Sequence, residues 1–273
     1  MGNYQIRKID EHTWQLADPF RTYLYLVEGT KRAVLIDAGN GFSGLEETVA
    51  SLTDKPVFTV LTHGHFDHTG AAAAFPPCCL HEADIPVLES GFDREMRAYQ
   101  VERFAELYHV DLPPQEKEFL INAKQPERLC PIQESEQIML GDRALDVIWT
   151  PGHTRGSICL LDQKHGYLFS GDTVCNREIL VYFDHSTSVE DVKNSANKLL
   201  IWDENFREIW PGHHECPLDA SYIRDYYQAA EDILKNPEIG TKIMLDNGYK
   251  LLYNYKSIGI SYTESHIYQS KCE

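Results

Sequence analysis

The sequence predicts an α/β protein in which two strand-rich halves are covered by helices. Three observations carry this: short extended runs separated by Asp-Pro and Gly-Thr breaks fill the first forty residues; a strand, helix, strand order follows; and a second series of strands begins near residue 137. The halves show no visible sequence repetition.

In chain order, "YQIRKI", "TWQLA", "TYLYLVEG" and "RAVLIDAGNG" read as sheet strands. "SGLEETVASL" follows with helical spacing at Leu45, Val49 and Leu52, and "PVFTVLT" is a β-branched strand that delivers the chain into His63. "AAAAF" reads as a short helix and "CCLH" as a buried strand. From Phe92 to His109, Phe92, Met96, Tyr99, Phe104 and Leu107 recur about every fourth position, which predicts an amphipathic helix with those residues inward. Residues 90–130 therefore read as a helical insertion. The second series comprises "EQIML", "RALDVIWT", "SICLLD", "GYLFSGD", a helix from about Val189 to Trp202, and "REIWPG". Ser188 with Asp191 three residues on makes a capping-box-like start for that helix. A helix near "ASYIRDYYQAAEDIL" and a strand pair in "YKLLYNYKSIGISY" complete a C-terminal extension at about 219–273. One domain is expected over 1–273, with its core at about 1–218.

Composition narrows the function classes. The 273 residues are 42% hydrophobic without an apolar run long enough to span a bilayer, so an ample core and no membrane partner are expected. The N-terminus lacks the blocks of a secretory signal, and seven cysteines without a CxxC pair read as reduced thiols; both suggest a cytoplasmic protein. A formal charge of -17 repels phosphate backbones, so no nucleic-acid partner is expected. A small-molecule substrate fits better. Composition leaves the oligomeric state open, a homodimer included.

The chemistry concentrates in "THGHFDHTG", residues 62–70, where three histidines and an aspartate fall within six positions. His63 and His65, two apart on extended backbone, point the same way and can share one cation. Asp67 and His68 lie just beyond, on a turn, and can face a second. Three later strand ends repeat the arrangement: "WTPGHTRGS" sets His153 after Pro-Gly, "LFSGDTV" sets Asp172 after Gly, and "IWPGHHE" sets His213 and His214 after Pro-Gly. Ligands placed at strand ends sit on a rigid support.

With these five segments, "LIDAG", "THGHFDH", "PGHT", "SGD" and "PGHH", the chain resembles the metallo-β-lactamase superfamily over about residues 20–215. The resemblance implies an αββα sandwich with a dinuclear metal site at the edge of its sheets. It implies His63, His65 and His153 on one metal and Asp67, His68 and His213 on the other, with Asp172 bridging. Asp37 would orient a ligand imidazole. The cofactors implied are two divalent ions, Zn²⁺ first and Fe or Mn as alternatives. His214 is the neighbour that competes with His213, and position in the motif favours His213.

Such a site implies a hydrolase. Metal binding lowers the pKa of water from about 15.7 to roughly 7, worth on the order of 12 kcal/mol, against roughly 3–5 kcal/mol for a general base alone. The expectation is a dinuclear hydrolase of the glyoxalase II-like or lactonase-like branch, cleaving an ester, thioester or lactone through a metal-bridging hydroxide, with Asp67 as the catalytic carboxylate that orients it. No G-x-S-x-G elbow is present to supply a serine nucleophile. Tyr182, ten residues after Asp172, is the candidate substrate contact; Phe92, Tyr99, Phe104 and Tyr108 are candidate pocket walls, and His109 and His185 are further candidates. The alternatives are a mononuclear iron persulfide dioxygenase-like oxidoreductase, which would use His63, His153 and Asp172, and a phosphodiesterase or nuclease of the same fold.

Overall fold

The computed structural model describes residues 3–246 and 248–269. The chain divides into two compact units, 1–145 and 146–273. Each has its own sheets and helices.

The first unit is built on a seven-stranded sheet whose spatial order follows the sequence: β1 (Gln5–Asp10), β2 (Thr13–Ala17), β3 (Tyr23–Glu28), β4 (Ala33–Ile36), β5 (Val57–Val60), β6 (Cys78–His81) and β7 (Leu129–Ile132). β1 to β4 pair antiparallel, and β4 to β7 pair parallel. Parallel strands need crossovers, and α1 (Leu45–Ala50) supplies one between β4 and β5. Because β4 and β5 run parallel in register, with Ile36 opposite Val60, both leave the sheet at one edge. That edge receives Asp37 from β4 and His63 from the continuation of β5.

Past the motif, α2 is a single turn, Phe66–Thr69, and "AAAAF" is a 3-10 turn over Ala72–Ala74 rather than an α-helix. Pro76 and Pro77 follow at once, and the residue before a proline is pushed to extended backbone, so the turn cannot propagate. α3 (Ile85–Ser90) leads up to the predicted insertion, which holds α4 (Arg94–Tyr108) and α5 (Pro114–Ile121).

The face of α4 differs from expectation. Tyr99 and Leu107 are 61% and 59% exposed, whereas Arg97 and Val101 are buried and Phe104 and Tyr108 pack into the core around Phe20. The inward spacing is 97, 101, 104 and 108, a true helical stripe that opens with an arginine. A hydrophobicity pattern places arginine outward by default, which rotated the prediction. Phe104 and Tyr108 accordingly serve the domain's own core, with ring centroids 5.8 and 6.1 Å from Phe20, and Tyr99 faces solvent.

β8 (Gln137–Met139) and β9 (Ala144–Trp149) flank the turn at Gly141, whose φ of 115° is a glycine conformation. The second unit continues β9 with β10 (Ile158–Asp162), β11 (Tyr167–Gly171) and β13 (Glu208–Pro211), paired β9-β10-β11-β13, the last pair parallel. α6 (Val189–Leu200) begins at Ser188, whose Oγ accepts from Asp191 N at 3.0 Å, as the capping-box reading predicts, while the Asp191 carboxylate accepts from that hydroxyl at 2.7 Å.

Of three strands absent from the sequence reading, β7 lies at the end of the stretch read as helical, and β12 (Glu178–Val181) and β14 (Thr241–Leu245) join β15 (Gly248–Tyr255) and β16 (Ile258–Tyr262) in a third sheet ordered β12-β16-β15-β14. The expectation of two sheets is corrected to three among the described residues. α7 (Ser221–Lys235) buries Ile223, Tyr226 and Ile233 in the core that α6 fills with Val189, Val192 and Leu199. The residues after 218 thus share one core with those before. The six cysteines among the described residues form no disulfide, and Cys272 lies outside them. No helix among the described residues is long and apolar enough to cross a membrane.

Candidate metal centre

In the first unit, Asp37 organises the motif. It sits at φ 60°, a left-handed conformation that carbon-branched residues avoid and aspartate tolerates. From there its carboxylate accepts from Thr62 N at 2.7 Å and Thr62 Oγ1 at 2.8 Å, and from His68 Nδ1 at 2.9 Å. His68 is fully buried. With its Nδ1 proton given to Asp37, its lone pair lies on Nε2, 3.9 Å from an Asp67 carboxylate oxygen.

The same reasoning settles His63. Thr62 has one hydroxyl proton and gives it to the carboxylate, which can only accept, so the hydroxyl oxygen accepts from His63 Nδ1 at 3.1 Å. His63 therefore carries its lone pair on Nε2, and that atom faces His65 Nδ1 at 3.1 Å. Asp37 orients one imidazole directly and a second through Thr62.

Glycines set the backbone at two places. A Cβ on Gly64 would come within 2.7 Å of Asp84 O, and Gly64 N donates to the buried Asp84 carboxylate at 2.7 Å. A Cβ on Gly70 would stand 2.2 Å from the carbonyl of Asn40. Gly70 has helical backbone, φ -56°, so the glycine is required by close approach and not by flexibility.

In the second unit, Asp172 lies between two histidines. One carboxylate oxygen is 3.6 Å from His153 Nε2 and the other is 3.7 Å from His213 Nε2. His153 Nδ1 donates to Leu180 O at 2.8 Å, which fixes its lone pair on Nε2, toward Asp172. Its loop is clamped by Ser186 Oγ, which donates to His153 O at 2.8 Å, and by Ser195 Oγ, which donates to Pro151 O at 2.7 Å. His214 takes a left-handed φ of 71° beside it, and burial, followed by His213 and Arg177, pushes its pKa down to about 4.

These spacings suit metal ligands. Two donors each about 2.1 Å from a tetrahedral ion stand roughly 3.4 Å apart, longer than a hydrogen bond and close to both Asp172 separations. The donor set of imidazole nitrogens and carboxylates suits Zn²⁺ or Fe.

The remaining predicted contacts are placed as follows. Tyr182 is half-buried just past β12, its ring 4.5 Å from that of Phe183 and 5.2 Å from the Lys250 ammonium. His185 stacks on Phe183 at 5.1 Å, and burial pushes its pKa down to about 4. His109 ends α4 as an exposed residue at φ 54°. Sequence reasoning passed over Thr62, Asp84 and Leu180; Thr62 begins the very motif that drew attention, whereas a carbonyl acceptor such as Leu180 O leaves no trace in residue type.

The family model of the metallo-beta-lactamase superfamily matches residues 17–237. Acyl-coenzyme A thioesterase MBLAC2 of Gallus gallus is 34% identical over 208 residues, covering 71% of this chain and 72% of the relative. A probable polyketide biosynthesis zinc-dependent hydrolase, PksB, of Bacillus subtilis is 21% identical, covering 76% and 79%. Among solved structures, a metallo-beta-lactamase family protein from Thermus thermophilus aligns with a TM-score of 0.61 at 20% identity, covering 86% of this chain and 85% of that one. The chain belongs to the metallo-β-lactamase superfamily and is a metal-dependent hydrolase of that fold.

Proposed function

We propose that this protein hydrolyses acyl thioesters of the coenzyme A class at a dinuclear centre formed by His63, His65 and His153 on one ion and Asp67, His68 and His213 on the other, with Asp172 between them. The observation that carries the reading is Asp172, whose two oxygens face two different imidazoles at 3.6 and 3.7 Å. A carboxylate held this way is arranged to span two ions. The similarity to thioesterases supplies the substrate class.

Bound ions supply an acidified water and a Lewis acid for the carbonyl and the departing thiolate. The chain's own residues do the rest. Asp37, Thr62 and the Leu180 carbonyl hold three imidazoles in the tautomer that presents Nε2. Asp67, 8% exposed, would orient the attacking water and hold its proton. Arg177, close enough to His214 to depress its pKa, supplies a cation for an anionic substrate arm in an otherwise acidic protein.

The test is metal quantification of the purified protein followed by a panel of acyl-CoA thioesters, lactones, β-lactams and phosphodiesters. Two divalent ions per chain with a clear preference for thioesters is the expected result. One iron per chain, with oxygen consumed in the presence of a persulfide, would overturn it.

A further inference from the structure

Arg97 is fully buried in α4, at 0% exposure. It donates to three main-chain carbonyls: Nε to Leu120 O at 2.7 Å, Nη2 to Asn40 O at 2.7 Å and Nη1 to Gly91 O at 3.3 Å. Withdrawing a guanidinium from water is costly, and an apolar residue such as Val101, one turn along, would seat the helix more cheaply. Burial draws the Arg97 pKa down to about 10, and the charge that opposes this is that of Asp67. The position answers to something other than the packing of α4.

Beyond Leu120 O, which ties α4 to α5, the other two carbonyls show what that is. Asn40 packs on Gly70, directly after α2, so closely that a Cβ there would meet its carbonyl at 2.2 Å. Gly91 packs on Phe66, the first residue of α2, with its would-be Cβ 3.4 Å from the Phe66 Cα. Phe104, two turns after Arg97, sets its ring 5.1 Å from that of Phe66. One planar fork therefore ties together the two backbone segments that bracket α2 at its two ends.

We propose that Arg97 is a positioning residue for the metal-binding turn: by clamping Asn40 and Gly91 it fixes α2 between them and so sets where Asp67 and His68 stand. The proposal rests on the reading of Asp67 and His68 as ligands. A lysine keeps the charge but cannot serve three carbonyls arranged around a guanidinium. The insertion is thereby more than a pocket wall, because it carries the clamp.

Arg97→Lys tests this, with Val101→Ala as the control that weakens the same helix face without touching the clamp. Zinc affinity is read by competition with a chromophoric chelator, and backbone hydrogen exchange over residues 66–70 is read on metal-free protein. In the lysine variant the more weakly held zinc should bind at least about tenfold less tightly and residues 66–70 should exchange faster. Val101→Ala should lower the thermal midpoint with neither change. Wild-type zinc affinity and protection in Arg97→Lys, or an equal loss in Val101→Ala, would overturn the proposal. Arg97→Gln, which removes the buried charge and with it the main penalty of the position, carries the same expectations where the lysine variant fails to fold. Wild-type protein that binds no zinc would instead defeat the ligand assignment, leaving the exchange measurement to judge the clamp.

Discussion

His68 donates its Nδ1 proton to Asp37 across 2.9 Å, with the imidazole wholly out of solvent. Asparagine tolerates the left-handed backbone of position 37, so Asp37→Asn should leave the fold in place. Its amide, however, has one accepting end and one donating end, whereas Asp37 accepts from both Thr62 and His68. One of the two imidazoles that depend on it is then turned to the wrong tautomer. Metal affinity should fall about 10–100-fold, measured by chelator competition, with little change in thermal midpoint of the metal-free protein.

Asp172→Ala removes the carboxylate that faces both His153 and His213. Metal content and turnover should fall together, turnover on the order of a hundredfold or more. A purified variant with two ions and the parent's rate would contradict the assignment.

Ser188→Ala deletes the cap of α6, exposing the Asp191 amide that Ser188 Oγ now satisfies at 3.0 Å. A loss of about 1 kcal/mol is expected, seen as a lower urea midpoint with an unchanged slope.

Acid should reveal Glu28, a buried carboxylate beside Lys55 at 2.7 Å. Burial raises its pKa, but hydrogen bonds from Lys55, Thr53 and His12 outweigh it, and the net shift is downward. A folded-state pKa below the unfolded one means that the unfolded chain takes up the proton first, so the stabilisation is complete above the ordinary glutamate range and disappears as pH falls through the lower, folded value. Glu28→Gln should be less stable than the parent at pH 7, by on the order of 1 kcal/mol. The gap should close in urea titrations carried down through the glutamate range.

The candidate ligands His153, Asp172 and His213 stand out in the sequence because each follows an apolar strand and a small turning residue, and His63, His65, Asp67 and His68 because they crowd into six positions. β12 does not: it is four residues long and opens on Glu178, whose partner Lys250 lies 72 positions away. β14 is exposed along nearly its whole length and shows no apolar alternation. The inward face of α4 was misread for the opposite reason, since a charged residue such as Arg97 inside a helix stripe looks like its outer face. In each case the deciding contact is distant in the chain, and local pattern carries no record of it.

The carbonyl that holds His153 belongs to Leu180 in β12, and Leu180 pairs with Ser261 in β16. For anyone trimming the gene, the last strand is therefore not spare. A fragment ending near residue 218 would keep every predicted ligand yet strip β12 of its neighbour, so the shortest self-sufficient enzyme must run through Tyr262.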